Sequence, residues 1–293
     1  MKLPKFLRRM LYFLLFLMLI WIVCVQAGCL AMRTPDRKWP EKMHQKGQPL
    51  APIFTDVPNA QQRNLHAVSL PARDSLPWII LAHGSPGSAD AYLDYLSDTV
   101  LSKHANLVSV DRAGFGYSDF GRPEISLPAQ AANLKTVMDR LAPGRKWLLA
   151  GHSLGGPLVA RFAMDYPENT AGIVIIAGSV DPALEPQQWW VSWVDNPPLK
   201  WLIPKSLWAS NHEIRYLKKE LENMLPLWEN IHCPVHIIHA ENDRLVPFGN
   251  VAFLQQKLAH NPQVTYTIYK EGDHFILWSQ QAQIRDVLIE MCR

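Results

Sequence analysis

Gly151-His152-Ser153-Leu154-Gly155 is the stretch of this chain best suited to covalent chemistry. A serine hydroxyl becomes a useful nucleophile when a base takes its proton and when its oxygen stands clear of the surrounding backbone. A tight turn from strand to helix achieves the second condition, and small glycines at both ends let the two elements approach closely. The helix that follows also favours negative charge developing near its first turn. A base and its orienting acid occur far along the chain, in Glu271-Gly272-Asp273-His274 and Glu241-Asn242-Asp243. The order Ser153, Asp243, His274 supplies nucleophile, acid and base for acyl transfer. Asp181 is the competing acid, because it also follows an apolar run; Asp273 adjoins His274 and reads as a loop residue.

Acyl transfer also needs two N–H groups aimed at the developing oxyanion. Leu154, next to the serine, is one candidate, and Ser85 in His83-Gly84-Ser85-Pro86-Gly87 is the other. Pro86 donates no N–H but stiffens that turn, while His83 lies before it and reads as structural. His232, His236 and His239 occur without an H-E-x-x-H pattern or paired cysteines, so no metal is expected, and no cofactor is implied.

These residues must be held by a framework. Apolar or β-rich runs recur at residues 65–70, 78–82, 107–110, 147–150, 173–177, 235–240 and 264–269. Helical patterns separate most of them, at 90–103, 128–141, 154–166, 250–259 and 279–291. Such alternation predicts an α/β fold with a mostly parallel sheet covered on both faces. Active sites in these sheets lie at the carboxyl ends of the strands, where the candidate residues all fall.

Taken together these motifs resemble the α/β-hydrolase fold superfamily, over nearly all of the chain from about residue 60. Asp111-Arg112-Ala113-Gly114-Phe115-Gly116-Tyr117-Ser118 resembles a further loop of that superfamily, with Ala113 where glycine is usual. The resemblance implies a capped, esterase- or lipase-like serine hydrolase with Ser153 as nucleophile, Asp243 as acid and His274 as base. The expected substrate is a small-molecule ester, apolar or lipid-like. Proline iminopeptidases carry a loop similar to residues 83–87, which leaves amide cleavage as an alternative. That reading requires a cap carboxylate for a free amine, and Glu213 and Glu220 are the candidates. A non-catalytic ligand-binding protein on the same fold is the other alternative.

The cap is expected at 180–231, where no strand-like run occurs and where Trp189, Trp190, Trp193, Trp201, Trp208 and Trp228 concentrate. A long insertion between strands reads as a functional cap, and large amphipathic rings imply an apolar pocket or a membrane-facing rim. Within it, 213–224 has a helical pattern.

Charge sharpens the organisation. The 293 residues hold 29 Lys+Arg against 26 Asp+Glu, with 48% hydrophobic residues, which excludes a disordered or fibrous chain. Four cysteines are too few for a disulfide scaffold. Lys2, Lys5, Arg8 and Arg9 are the only charged residues among the first 28, so the remainder is nearly neutral and no nucleic-acid partner is expected. Residues 10–25 follow without a charge. This is the layout of a signal peptide or membrane anchor over residues 1–28. Ala27-Gly28-Cys29 resembles a lipoprotein cleavage site, with Cys29 as the lipidated residue and Gln26 departing from the pattern. Both readings place the catalytic body outside the cytoplasm, tethered to the membrane. Five prolines between residues 34 and 59 predict an extended linker over 29–60, with the hydrolase domain at 61–293.

Overall fold

The computed structural model describes residues 4–186, 192–197 and 199–293. Among these residues, eight strands form one sheet: β1 (Ile53–Pro58), β2 (Asn64–Leu70), β3 (Trp78–Ala82), β4 (Asn106–Val110), β5 (Trp147–His152), β6 (Thr170–Ile176), β7 (Val235–Ala240) and β8 (Val264–Tyr269). Their order is β1-β2-β4-β3-β5-β6-β7-β8. β1–β2 and β2–β4 pair antiparallel, and the remaining neighbours pair parallel.

Helices cover both faces. Among the described residues the helices of the chain are α1 (Lys5–Gln26), which stands largely exposed, α2 (Trp39–Gln45), α3 (Leu93–Ser97), α4 (Leu127–Leu141), α5 (Gly155–Asp165), α6 (Leu199–Leu202), α7 (Lys205–Met224), α8 (Gly249–Lys257), α9 (Ile276–Ser279) and α10 (Gln281–Glu290). Successive strand residues point to opposite faces, so Ile80 and Leu149 join one core with α4 and α5, while Ile79, Leu81 and Leu148 join another with α3 and α10. The central strands are buried on both sides, which explains their continuous apolar runs.

Residues 29–60 are not an extended linker. Trp39 and Met43 of α2 are fully buried against the second core, and β1 pairs with β2 along its whole length. Three of the prolines are compatible with regular structure here because they sit where no N–H is needed. Pro40 opens α2, Pro52 precedes β1, and Pro58 ends that edge strand. The folded body therefore begins ahead of residue 61.

Other boundaries shift as well. The pattern at 90–103 breaks into 3₁₀ turns on either side of the short α3. The pattern at 279–291 divides into α9 and α10, and the helix expected at 213–224 starts earlier, at Lys205. Between β6 and β7 the described residues of 180–231 contain helices and no strand.

Candidate active site

Strand β5 runs into the turn that carries Ser153. The serine has φ +56°, in the left-handed region that costs an ordinary residue energy. Its N–H donates to the Ile176 carbonyl, and its own carbonyl accepts from Gly156 N–H, both at 2.9 Å. Glycine is required at the flanks: a Cβ on Gly151 would drive into the Gly155 backbone, and one on Gly155 into the Ala82 carbonyl. Gly84 approaches from the other side, where a Cβ would lie 2.8 Å from Ser153 Cβ. Leu154 caps α5, so its N–H belongs to the helix's unpaired first turn.

His274 Nδ1 lies 2.8 Å from Asp243 Oδ2. The other oxygen of Asp243, Oδ1, accepts from the N–H groups of Leu245 and Val246 at 2.9 and 2.8 Å. Burial alone would raise the Asp243 pKa, but the His274 and backbone hydrogen bonds outweigh it and hold the carboxyl below its usual range. The aspartate is therefore ionised and fixes His274 with its proton on Nδ1, leaving Nε2 as the basic nitrogen. Asp181 takes no part in this pair: its Oδ1 accepts from Ala183 N–H at 2.8 Å, closing a local turn. Asp273 likewise accepts from Phe275 N–H.

Ser153 and His274 line one cavity of about 650 Å³, together with Gly84, Ser85 and Leu154. Its apolar wall comes from Leu184, Ile214, Leu217, Leu245 and Trp278, and from Met32 ahead of α2. Met32 and the wall residues carry no sequence motif, because they come from separate segments of the chain that only the folded structure brings to one cavity. Among the described tryptophans of 180–231, Trp228 is buried against Phe253, Trp208 stacks on His212, and Trp193 and Trp201 are exposed. None of these four lines the cavity; Trp189 and Trp190 lie outside the described residues.

His83, His236 and His239 are held in the neutral form. His83 Nδ1–H donates to the Gly84 carbonyl at 2.6 Å, and Nε2 accepts from Arg112 N–H at 3.0 Å. Burial, then the Arg112 charge, depresses its pKa well below the ordinary value. His236 and His239 are similarly depressed by burial; they meet Thr265 and Thr267, and the Val246 carbonyl, respectively. Cys233 and Cys292 are both free thiols.

The two candidate carboxylates of α7 are engaged. Glu213 forms a buried ion pair with Arg112, with 2.7 and 3.0 Å contacts to the two Nη atoms. Glu220 accepts from Leu127 N–H at 2.8 Å, at the start of α4. Both carboxylates that the iminopeptidase reading would use thus have partners within the chain.

Residues 77–225, half of the chain, match the alpha/beta hydrolase fold family. A 1-acylglycerol-3-phosphate O-acyltransferase of Arabidopsis thaliana is 23% identical over 159 residues, covering 52% of this chain but only 37% of the plant protein. The mitochondrial palmitoyl-protein thioesterase ABHD10 of Pongo abelii is 25% identical over 285 residues, covering 87% of this chain and 88% of the relative. Among solved structures, a membrane phospholipase A described as a bacterial virulence factor superposes with a TM-score of 0.62 at 16% identity, over 97% of this chain and 99% of the other. Sheet order, the strained serine turn and the family match agree, and this chain belongs to the alpha/beta hydrolase fold family.

Proposed function

We propose that the chain is a serine hydrolase of carboxylic esters, working through an acyl-enzyme. The observation that carries this reading is the buried 2.8 Å Asp243–His274 pair, whose His274 lines the same cavity as Ser153 at its strained turn. His274 Nε2 takes the Ser153 proton as Oγ bonds the ester carbonyl carbon. The carbonyl oxygen becomes an oxyanion facing the N–H groups of Leu154 and Ser85, and Asp243 stabilises the imidazolium. The carbonyl re-forms, the carbon–alkoxy bond breaks, and His274 returns the proton to the departing alkoxide. Water, deprotonated by His274, then cleaves the acyl–serine ester and restores the hydroxyl.

The apolar wall favours a hydrocarbon acyl group over a polar one. The names of the relatives, a palmitoyl-protein thioesterase and a membrane phospholipase A, point to acyl substrates as well. The helix α1 is exposed nearly throughout and apolar beyond Arg9; of its 22 residues, the stretch after Arg9 extends about 26 Å, close to a bilayer core of about 30 Å. Its end meets the cap, where Trp21 and Gln26 donate to the Leu202 and Trp201 carbonyls at 2.8 and 3.1 Å. Met32, six residues beyond α1, lines the catalytic cavity. This continuity supports a membrane-tethered enzyme drawing apolar esters from the bilayer side, with Lys5, Arg8 and Arg9 on the cytoplasmic side. Cys29 is exposed just past the helix, where lipidation would place an acyl anchor; mass spectrometry of the N-terminal peptide distinguishes it from an intact helical anchor.

A fluorophosphonate probe tests the site. Stoichiometric labelling of the folded protein, abolished in Ser153→Ala, is expected alongside hydrolysis of p-nitrophenyl esters. Folded protein that resists labelling would instead indicate a ligand-binding role.

A further inference from the structure

Helix α7 presents different chemistry at neighbouring positions. Ile214 and Leu217 line the catalytic cavity, while Glu213 turns inward and is almost fully buried. Its carboxylate accepts from both Nη atoms of Arg112 and, through Oε2, from Ser85 Oγ at 2.8 Å. Arg112 spends its other donors on the same loop: Nε on the His83 carbonyl at 2.9 Å and Nη2 on the Gly84 carbonyl at 3.0 Å. Gln130 accepts from Nη1 and donates to Glu213, completing the set. The loop held in this way is the one that presses Gly84 against Ser153 and carries the proposed oxyanion donor Ser85.

A buried ion pair is a costly way to gain stability, since apolar residues of similar volume serve equally well. What it supplies here is a fixed geometry between two elements 101 residues apart in sequence. We infer that Glu213 is a positioning residue that couples acyl-chain occupancy beneath α7 to the geometry of the oxyanion loop. A chain seated against Ile214 and Leu217 holds α7 closed; Glu213, through Arg112 and Ser85, then sets residues 83–85. Binding energy from the unreactive end of the substrate thereby appears as a faster chemical step. A short acyl group reacts on a less settled loop. The coupling rests on the esterase reading above and adds to it a dependence of kcat, beyond KM, on acyl length.

The test is steady-state hydrolysis of p-nitrophenyl acetate, butyrate and octanoate by the full chain, by Glu213→Gln and by Ser85→Ala. The wild type is expected to raise kcat about tenfold from acetate to octanoate. In both variants that rise should shrink to about twofold, while KM still falls with chain length because the apolar wall is intact. Ser85→Ala keeps the backbone N–H and removes only the hydroxyl, so it decides the matter if Glu213→Gln does not fold. Variants that retain the wild-type length dependence, or that lose activity by one factor at every length, overturn the coupling while leaving the esterase reading in place. A wild type that neither takes up the fluorophosphonate nor hydrolyses any ester overturns the reading of the site, and the coupling with it.

Discussion

His152 Nε2–H donates to the backbone carbonyl of His274 at 2.9 Å, and the two rings lie 4.8 Å apart. The residue before the proposed nucleophile thus holds the loop that carries the proposed base, across 122 positions of sequence. Only the neutral imidazole suits this place. Burial first, and the nearby His274 second, push the His152 pKa down to about 4.

That depression makes folding stability depend on pH. The unfolded chain protonates His152 below its ordinary value, whereas the folded chain resists until about pH 4. Between these limits the unfolded state binds more protons, so the contribution is complete above about pH 6.5 and declines as pH falls. The expected loss from this one group is about 3 kcal/mol across the window. Urea unfolding at pH 7 and pH 4.5 should show a gentler decline for His152→Gln than for the wild type. Equal declines would mean that His152 is not held neutral.

The choice of acid is decided by two amide substitutions. In Asp243→Asn the remaining oxygen can still serve Leu245 and Val246, which turns the NH₂ toward His274 Nδ1. That reverses the tautomer and places a proton on Nε2, where the base must be bare. We expect kcat to fall about 10⁴-fold with little change in Tm. Asp181→Asn, whose carboxylate closes a turn on Ala183, should retain activity. If the two results were exchanged, Asp181 would be the acid.

The contrast between these two aspartates shows what a linear reading captures. Ser153, Asp243 and His274 each follow an apolar run that becomes a parallel strand, and carboxyl ends of parallel strands converge in space. Strands β3, β7 and β8 have the expected limits because short apolar runs between turns have few alternatives. Strand β1 carries little sequence signal because it is an edge strand, largely exposed, with proline at its end. The Arg112–Glu213 pair was illegible for another reason. Nothing local to either residue marks its partner, which is chosen by how the cap folds onto the sheet.

Two glycines separate packing from backbone conformation. Gly151 has ordinary dihedral angles but no room for a Cβ beside Gly155. Gly144 has φ +72° with nothing within 4 Å of a built Cβ. Gly144→Ala should therefore cost only about 1 kcal/mol, with full activity. Gly151→Ala must move α5 away from the sheet and should lower kcat by about 100-fold or more, or prevent folding. Thermal unfolding and ester hydrolysis of both variants provide the comparison; a fully active Gly151→Ala would mean that the elbow tolerates displacement.

Deleting residues 5–26 separates the chemistry of the site from access to its substrate. The deletion removes α1 and its two hydrogen bonds to the cap, but leaves Met32 and every residue of the proposed triad. Water-soluble p-nitrophenyl butyrate reaches the cavity by diffusion, so its kcat/KM should change by no more than about threefold. Acyl esters embedded in phospholipid vesicles are different. A tethered enzyme meets them at the high local concentration of a surface, and the deletion sacrifices that advantage. Their turnover is expected to fall by about tenfold or more, with the protein moving from the vesicle pellet to the supernatant. Phe275, Leu245 and Trp278 remain exposed at the cavity in the deleted form, so they test whether the rim alone can hold the bilayer. Should turnover and pelleting survive the deletion, membrane contact would belong to that rim, and α1 would not be the tether.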